Sequence, residues 1–339
     1  MSVFEHGFPF DPAYGRTLDQ LLTLPAPAAP PDFDAFWQER YEAARRVATA
    51  PAVGPQEEER DGFRIFGVSF TSVGGLRLGG WLVLPGDGPA EHGFVIGHGY
   101  GGRQDTGDAV PLPLPRSAAI LPCVRGLGAR SRRPGIPGEA DLHVLHGIGS
   151  RDTYVIGDCV ADLWCAASAL LELVPELARD PEPGEGGEAG TPGGRLGYVG
   201  GSLGGGLGAL ALPWDRRFAC GQLTVPTFGD HPLRLALPGV GSGEAVRKYY
   251  RDHPEVLDVL PYFDAATAAS RIRVPVLVAP ALFDPAVPPP GQFAVYNALT
   301  GPRELHVLRA GHFEHAGGEQ ETKELAAERR SFFAERLSA

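Results

Sequence analysis

Apolar and polar residues follow two recurring patterns along this chain. Short apolar runs predict buried strands at residues 63–71, 76–84, 93–97, 118–124, 195–199, 221–225, 274–280 and 304–308. Apolar residues three or four positions apart predict helices at residues 31–48, 152–174, 203–212, 292–299 and about 320–337, with further helical segments between 242 and 270. Gly74-Gly75 separates the first two strands and predicts a hairpin, whereas later strands alternate with helices. The sequence therefore predicts an α/β fold, with a mostly parallel central sheet flanked by helices and an antiparallel start.

The whole chain, residues 1–339, is predicted to form a single domain, because α/β folds often reach this length as one unit. Residues 1–60 are interpreted as an N-terminal extension, in which the amphipathic helix 31–48 docks at the edge of the main domain. Residues 181–194 are rich in proline, glycine and glutamate. That composition predicts a mobile surface loop rather than a domain boundary.

Composition narrows the class of protein. A net charge of −11 argues against nucleic acid and anionic membrane surfaces as partners. No apolar run approaches the roughly 18 residues that a membrane helix needs, and no secretory leader is visible at the start. The histidines show no zinc spacing, so no metal is expected. Free thiols in a reducing cytoplasm are predicted for the four cysteines, which form no C-x-x-C pair: Cys123, Cys159, Cys165 and Cys220.

A glycine-rich stretch between a predicted strand and a predicted helix carries the main chemical signal. Gly200-Gly201-Ser202-Leu203-Gly204 reads Gly-x-Ser-x-Gly, which is the nucleophile elbow of serine hydrolases. Such a turn aims Ser202 out of the sheet and places the amide of Leu203 at a helix N-terminus, where an oxyanion can be stabilised. Residues 204–209 also match the dinucleotide pattern G-x-G-x-x-A, but the next strand ends in Pro226 rather than in an acidic residue. The elbow alone leaves both interpretations open.

A serine nucleophile needs a histidine base and an acid to orient it. In hydrolases with this elbow, the acid and the histidine follow the serine in the chain, each in a loop after a strand. Asp284 follows the strand at 274–280 and His312 follows the strand at 304–308, so these residues are predicted to complete a triad with Ser202. His315 remains an alternative base.

Other acidic residues and histidines are less well placed for the triad. Asp230 and Asp264 lie further from any predicted strand end, and His306 falls within a strand. The second oxyanion donor is expected in the loop after the strand at 93–97, where the backbone amide of Tyr100 is well placed. His98 is expected to shape that loop. The alternative for this segment is an ordinary tight turn.

Several segments together resemble one known family, the acetyl xylan esterase and cephalosporin C deacetylase group, which is the seventh carbohydrate-esterase family. The resemblance rests on Asp32-Phe33-Asp34-Ala35-Phe36-Trp37, His98-Gly99-Tyr100, Arg125-Gly126-Leu127-Gly128, Gly200-Gly201-Ser202-Leu203-Gly204-Gly205, Tyr262-Phe263-Asp264, Asp284-Pro285-Ala286-Val287-Pro288-Pro289, Phe293-Ala294-Val295-Tyr296-Asn297 and Gly311-His312. It implies an α/β-hydrolase fold, a triad of Ser202, Asp284 and His312, and an oxyanion hole from the amides of Tyr100 and Leu203. It also implies removal of acetyl groups, no cofactor, and a ring-like hexamer.

Three positions depart from the family pattern. Leu127 stands where the family usually has Gln, Leu203 replaces the Gln after the nucleophile, and Phe313 replaces the Glu after the histidine. The Leu203 change leaves the mechanism intact, since that residue contributes a backbone amide. The other changes bear on substrate choice and oligomeric contacts. Arg125 is interpreted either as a structural ion-pair partner or as support for the active site.

These observations predict a serine carboxylesterase that removes small acyl groups, above all acetyl, from O-acetylated sugars or cephalosporin-type substrates through an acyl-enzyme. The expected partners are a small acetylated substrate and further copies of the chain in a homo-oligomer. A peptidase or a dienelactone hydrolase on the same fold is the alternative among enzymes. A binding protein that kept the fold without catalysis is the alternative outside them.

Overall fold

A single sheet of nine strands runs through residues 4–178 and 195–337, which are the residues that the computed structural model describes. The strands are β1 (Ala52–Arg60), β2 (Phe63–Thr71), β3 (Arg77–Pro85), β4 (His92–Ile96), β5 (Ser117–Pro122), β6 (Leu196–Gly201), β7 (Phe218–Thr224), β8 (Val276–Ala279) and β9 (Arg303–Leu305). Their spatial order is β1-β2-β3-β5-β4-β6-β7-β8-β9. Pairing is antiparallel from β1 to β5 and parallel from β5 through β4 to β9. The predicted fold class is confirmed.

Helices cover both faces of this sheet. In the described ranges they are α1 (Leu18–Leu21), α2 (Phe33–Arg45), α3 (Ala140–His143), α4 (Val155–Leu173), α5 (Leu203–Ala211), α6 (His231–Ala236), α7 (Ser242–Asp252), α8 (Ala265–Ala269), α9 (Pro289–Ala298) and α10 (Gly318–Leu337). Helices α2, α4, α5 and α8 share the larger apolar core, which includes the buried rings of Trp164 and Phe263. Helix α10 covers the other face, where Phe333 packs edge-on against Phe94 of β4 at 5.0 Å. The central strands β4 to β8 are therefore buried on both sides, as parallel strands require.

The structure differs from the sequence-based prediction mainly at the chain's polar segments. Strand β1 was not predicted, because eight of its nine residues are exposed at the sheet edge and show no apolar alternation. The short helices α1, α3 and α6 were also missed, since four to six residues give no periodic signal. The predicted loop at 181–194 lies outside the described residues.

Helix α2 packs against the main body through its aromatic residues. The indole N–H of Trp37 donates a hydrogen bond to the carbonyl of Tyr262 at 2.8 Å. The ring of Phe36 lies 5.0 Å from the ring of Tyr262, centroid to centroid. Trp37 and Phe36 are both buried, so this contact ties the N-terminal part of the chain to the segment before α8.

Arg125, just beyond β5, lies in a buried ion-pair network. Its guanidinium contacts Asp158 at 2.5 Å and Asp162 at 2.7 Å, both on α4. Asp162 is fully buried and also accepts hydrogen bonds from the Ser72 hydroxyl at 2.6 Å and from the Arg125 amide at 3.0 Å. Arg125 is therefore a structural ion-pair partner that joins β5 to α4 and to the β2–β3 hairpin. Of its two sequence-based interpretations, this contact pattern favours the structural one.

This network gives a test of stability. We expect Asp162→Ala to lower the free energy of unfolding by about 3–5 kcal/mol, because it leaves the buried Arg125 guanidinium short of an acceptor. Asp34→Ala is the matched control, since Asp34 is 63% exposed and pairs with Arg271 at the surface. That change should cost less than about 1 kcal/mol. Urea unfolding followed by circular dichroism measures both, and equal losses would contradict the assignment.

Candidate active site

Ser202 occupies a strained turn between β6 and α5. Its backbone has φ of +55° and ψ of −116°, a conformation that a residue with a side chain rarely adopts. The turn closes tightly, because a Cβ placed on Gly200 would lie 2.5 Å from the carbonyl oxygen of Gly204. The Ser202 amide donates to the carbonyl of Thr224 on β7 at 2.9 Å, which fixes the turn to the next strand. The glycines of the motif are therefore required by the space available.

Three predicted residues come together at the carboxyl edge of the sheet. The Nε2 atom of His312 lies 2.9 Å from the hydroxyl oxygen of Ser202. The Nδ1 atom of His312 lies 2.8 Å from Oδ2 of Asp284. With the Nδ1 proton directed at the carboxylate, Nε2 is left to accept the serine proton. Although Asp284 precedes His312 in the chain, His312 lies between Ser202 and Asp284 in the series of contacts.

The Asp284 carboxylate is fully buried and held by several donors. Its Oδ1 atom accepts the amides of Ala286 and Val287, each at 2.9 Å. Its Oδ2 atom accepts the side-chain amide of Gln292 at 3.0 Å, besides facing His312. These bonds compensate the carboxylate for its lost hydration and fix its direction.

Gln292 was missed by sequence reasoning, although a signal for it existed. It is a polar residue in the first turn of the otherwise apolar helix α9, and it is fully buried. Its side chain bridges the Asp284 carboxylate, the Val287 carbonyl at 2.6 Å and the Ala281 amide at 2.7 Å. A buried amide with these contacts is a positioning residue for the acid loop.

The pKa of His312 is shifted by two opposing effects. Partial burial acts to lower the pKa of His312, whereas the hydrogen bond that it donates to Asp284 and the negative charge of that carboxylate raise it. The net result is a pKa above the ordinary histidine value. The side chain is still 30% exposed, so protons exchange with solvent readily at this site.

The loop after β4 carries Tyr100, whose backbone amide is one of the two predicted oxyanion donors. A Cβ placed on Gly99 would lie 3.6 Å from Cβ of Ser202, so this loop approaches the nucleophile directly. Neither the Tyr100 amide nor the Leu203 amide donates a hydrogen bond to another described residue. Both amides therefore lack an acceptor among the described residues, as the predicted role of oxyanion donors requires.

His98 fixes this loop, as expected from the sequence. Its Nε2 atom accepts the Val124 amide at 3.1 Å, and its Nδ1 atom lies 2.7 Å from the Gly99 carbonyl. Burial lowers the pKa of His98 to about 4, so the ring is neutral at physiological pH. A neutral ring with one donor and one acceptor nitrogen satisfies both bonds.

The competing residues have other contacts. His315 lies 3.2 Å from Glu321 and 3.0 Å from the Ala316 carbonyl, and no contact joins it to Ser202. His306 pairs with a glutamate of α10. Asp230 caps α6 through the Leu233 amide at 3.1 Å. Asp264 accepts the amides of His231 and Thr267 at 2.7 and 2.9 Å.

The described part of the chain shows no arrangement of three or more His, Cys, Asp or Glu side chains that could hold a metal ion. No cofactor was predicted from the sequence, and that remains a prediction. None of the described helices combines the length and the apolar character that crossing a membrane requires.

A nucleophile elbow, a buried acid loop and a histidine at the carboxyl edge of a mostly parallel sheet define a hydrolase of the α/β class. A family model described as acetyl xylan esterase matches residues 16–330. The chain belongs to the acetyl xylan esterase family. Membership in this family confirms the resemblance seen in the sequence. It also confirms that the protein is a carboxylic ester hydrolase and that it hydrolyses acetyl esters, as predicted.

Solved structures agree on the fold. An acetyl xylan esterase from Paenibacillus sp. R4 superposes with a TM-score of 0.74 at 23% identity, over 92% of this chain and 99% of that one. Acetyl xylan esterase 1 from Thermoanaerobacterium sp. JW/SL YS485 gives 0.73 at 21% identity, over 94% and 99%. An acylaminoacyl peptidase from Pyrococcus horikoshii gives 0.57 at 15% identity, over 86% of this chain and 43% of that one. The predicted α/β-hydrolase fold is thereby confirmed.

The contact between His312 and Asp284 can be tested by titration. We expect the pKa of His312, followed by NMR, to lie above the ordinary histidine value of about 6.5. Asp284→Asn should move it to lower pH, because the charge that stabilises the imidazolium is gone. Asp230→Asn is the control and should leave the titration in place. A His312 pKa that is unchanged in Asp284→Asn would contradict the coupling.

Proposed function

We propose that Ser202, His312 and Asp284 form the catalytic triad of this esterase, with the amides of Tyr100 and Leu203 as the oxyanion hole. The observation that carries the proposal is the unbroken hydrogen-bonded series from the Ser202 hydroxyl through both nitrogens of His312 to the buried Asp284. Each residue has the chemistry that its position demands: a nucleophile, a base and an orienting acid.

The geometry identifies which atom acts in each step of ester hydrolysis. The Ser202 Oγ attacks the ester carbonyl while Nε2 of His312 takes its proton. The carbonyl oxygen becomes an oxyanion that accepts the two backbone amides, and Asp284 stabilises the imidazolium. His312 then protonates the departing alcohol, which leaves an acyl-enzyme. Water, deprotonated by His312, releases the acid and restores Ser202.

The proposed substrate is a small acetylated molecule, with an O-acetylated sugar as the first choice of alcohol. The name of the family and those of two similar structures, both acetyl xylan esterases, support this choice. A cephalosporin-type acetyl ester is the second choice, from the family resemblance alone. Phe313, which replaces the family's glutamate, packs beside His312 against Phe283 at 4.9 Å and Phe4 at 5.5 Å. The rim of the site next to the base is therefore apolar.

We also propose that the enzyme works in the cytoplasm as a homo-oligomer. All four cysteines are buried thiols without a disulfide, which is typical of proteins from a reducing compartment. The edge strand β1 is largely exposed and leaves backbone donors and acceptors unpaired. Such an edge can pair with a second chain, and the family resemblance suggests a hexamer.

The role of the nucleophile is tested by substitution. We expect Ser202→Ala to lower kcat for a chromogenic acetate ester by about 10⁴ to 10⁶ while the circular dichroism spectrum is retained. His315→Ala is the matched control, because that ring contacts Glu321 and does not reach the nucleophile. More than a few per cent of activity in Ser202→Ala would overturn the assignment.

The chromogenic ester assay also distinguishes an acetyl esterase from a peptidase and from a binding protein without catalysis. Wild-type rates that fall as the acyl chain lengthens support an acetyl esterase, whereas preference for a peptide amide would favour the peptidase. The acylaminoacyl peptidase similarity makes that comparison necessary. Absence of turnover on every ester would favour a binding protein.

The assembly is tested by its mass. We expect light scattering of the dilute protein to give a multiple of the 35.9 kDa chain, with six copies as the expected number. An interface that persists on dilution usually buries more than roughly 1,000 Å². A monomer mass would overturn the oligomer.

If a ring encloses the active sites, short acetylated xylo-oligomers should react faster than intact polymer, and equal rates would contradict restricted access.

A further inference from the structure

A partly open cavity of about 440 Å³ lies between helix α10 and the loop that carries His312, at residues 308–317. Its walls come from Thr224 at the end of β7, from this loop and from the first two turns of α10. Cavities that bind small molecules usually enclose about 300–1,000 Å³. The space is therefore large enough for a ligand of sugar size.

The cavity borders the candidate catalytic residues without including them. Ala310 and Phe313 line it, and they stand on either side of His312 in the chain. Thr224 lines it as well, and its carbonyl accepts the amide of Ser202 at 2.9 Å. Neither Ser202 nor His312 belongs to the walls. A molecule in the cavity therefore lies beside the nucleophile and the base and leaves both free to react.

Phe313 gives the cavity an aromatic wall that is held in place. Its ring packs against Phe283 at 4.9 Å and against Phe4 at 5.5 Å, centroid to centroid. Leu308 and Leu325 add to the apolar part of the lining. A fixed aromatic ring offers an apolar surface on which the C–H groups of a sugar ring can pack.

The polar part of the lining consists mainly of hydrogen-bond acceptors. Glu314, Glu319 and Glu321 contribute carboxylates, which accept hydrogen bonds and donate none when ionised. No Lys or Arg of the described ranges is among the lining residues. The hydroxyl of Thr224 accepts the side-chain amide of Gln222 at 2.6 Å, which leaves its proton to donate. This lining disfavours anions and suits a ligand that carries several hydroxyl groups.

Two of the three carboxylates already have partners in the protein. Glu319 pairs with Lys323 at 2.6 Å. Glu321 accepts the backbone amide of Arg309 at 2.7 Å and lies 3.2 Å from Nε2 of His315. Their oxygens keep further lone pairs for hydroxyl donors, whereas a bound cation would have to compete with these partners. A neutral ligand is therefore favoured over a cation.

We propose that this cavity is a subsite for a neutral sugar ring, namely the unit next to the one that carries the acetyl ester. The inference rests on the proposed esterase function, because His312 must protonate the departing alcohol and the alcohol must therefore lie against the loop that borders the cavity. The acetylated unit lies at Ser202 and His312. Its neighbour in the oligosaccharide packs on Phe313 and donates hydroxyl groups to the carboxylates.

Filling the cavity tests the subsite. Thr322 is exposed on α10 and lines the cavity, so Thr322→Trp places an indole there without changing a catalytic residue. In the wild type, kcat/KM for monoacetylated xylobiose should exceed that for monoacetylated xylose by about tenfold, since the second ring adds a stacking contact and a hydrogen bond. Thr322→Trp should remove this preference. Ala327→Trp, at an exposed position of α10 outside the cavity, should keep it.

Methyl acetate separates failure of the subsite from failure of the proposed function, because methanol is too small to reach the cavity. Its hydrolysis should be equal in the wild type, Thr322→Trp and Ala327→Trp. Hydrolysis of methyl acetate without a preference for xylobiose, or with a preference that persists in Thr322→Trp, would overturn the subsite and leave the esterase intact. Absence of hydrolysis on every acetate ester would overturn both.

A crystal structure gives a readout that does not depend on turnover. Crystals of Ser202→Ala soaked in monoacetylated xylobiose should show one sugar ring over Phe313, between the His312 loop and α10. Density for the disaccharide elsewhere, with the cavity empty, would overturn the proposal. Tetramethylammonium is the probe for a cation site. If it inhibits the wild type but not Thr322→Trp, and no sugar enters the cavity, the ligand is a cation and the sugar subsite is wrong.

Discussion

The buried carboxylate of Asp284 is the constraint on which the active site depends. A charge without water must be surrounded by donors, and here the Ala286 and Val287 amides, Gln292 and His312 all face it. Those donors come from one loop, from α9 and from the loop after β9. Because the carboxylate has one orientation that satisfies all of them, the imidazole of His312 also has one, and its free nitrogen points to Ser202.

The N-terminal segment contributes to the same site from the opposite end of the chain. The carbonyl of Pro12 accepts the Asp284 amide at 3.1 Å, and the ring of Phe4 lies 5.1 Å from that of Phe283. Phe313, beside the histidine, packs on this segment, with its ring 5.5 Å from that of Phe4. An apolar contact next to the base thus links the path of the N-terminal residues to the active site.

Two buried arginines show how differently the same side chain can be accommodated. Arg125 has acceptors on Asp158 and Asp162 and joins the sheet to α4. Arg234 is as buried, yet its neighbours in the described chain are donors, aromatic faces and a helix N-terminus. The ion pairs of Arg125 are part of the contacts that hold the fold together. The second arrangement leaves the guanidinium N–H groups without an acceptor among the described residues, which is costly for the folded state.

The sequence by itself determined the class of fold and the three residues of the candidate triad. Short apolar runs mark buried strands and helical spacing of apolar residues marks helices, and Gly-x-Ser-x-Gly between a strand and a helix predicts a sharp turn. Because parallel strands end at one edge, Asp284 and His312 could be placed beside Ser202 from their positions after strands. Tertiary structure decided what no local pattern encodes: the edge strand β1, the support of Asp284 by Gln292, and the isolation of Arg234. Each depends on which distant segments meet, and burial of a polar group becomes visible only once its neighbours are in place.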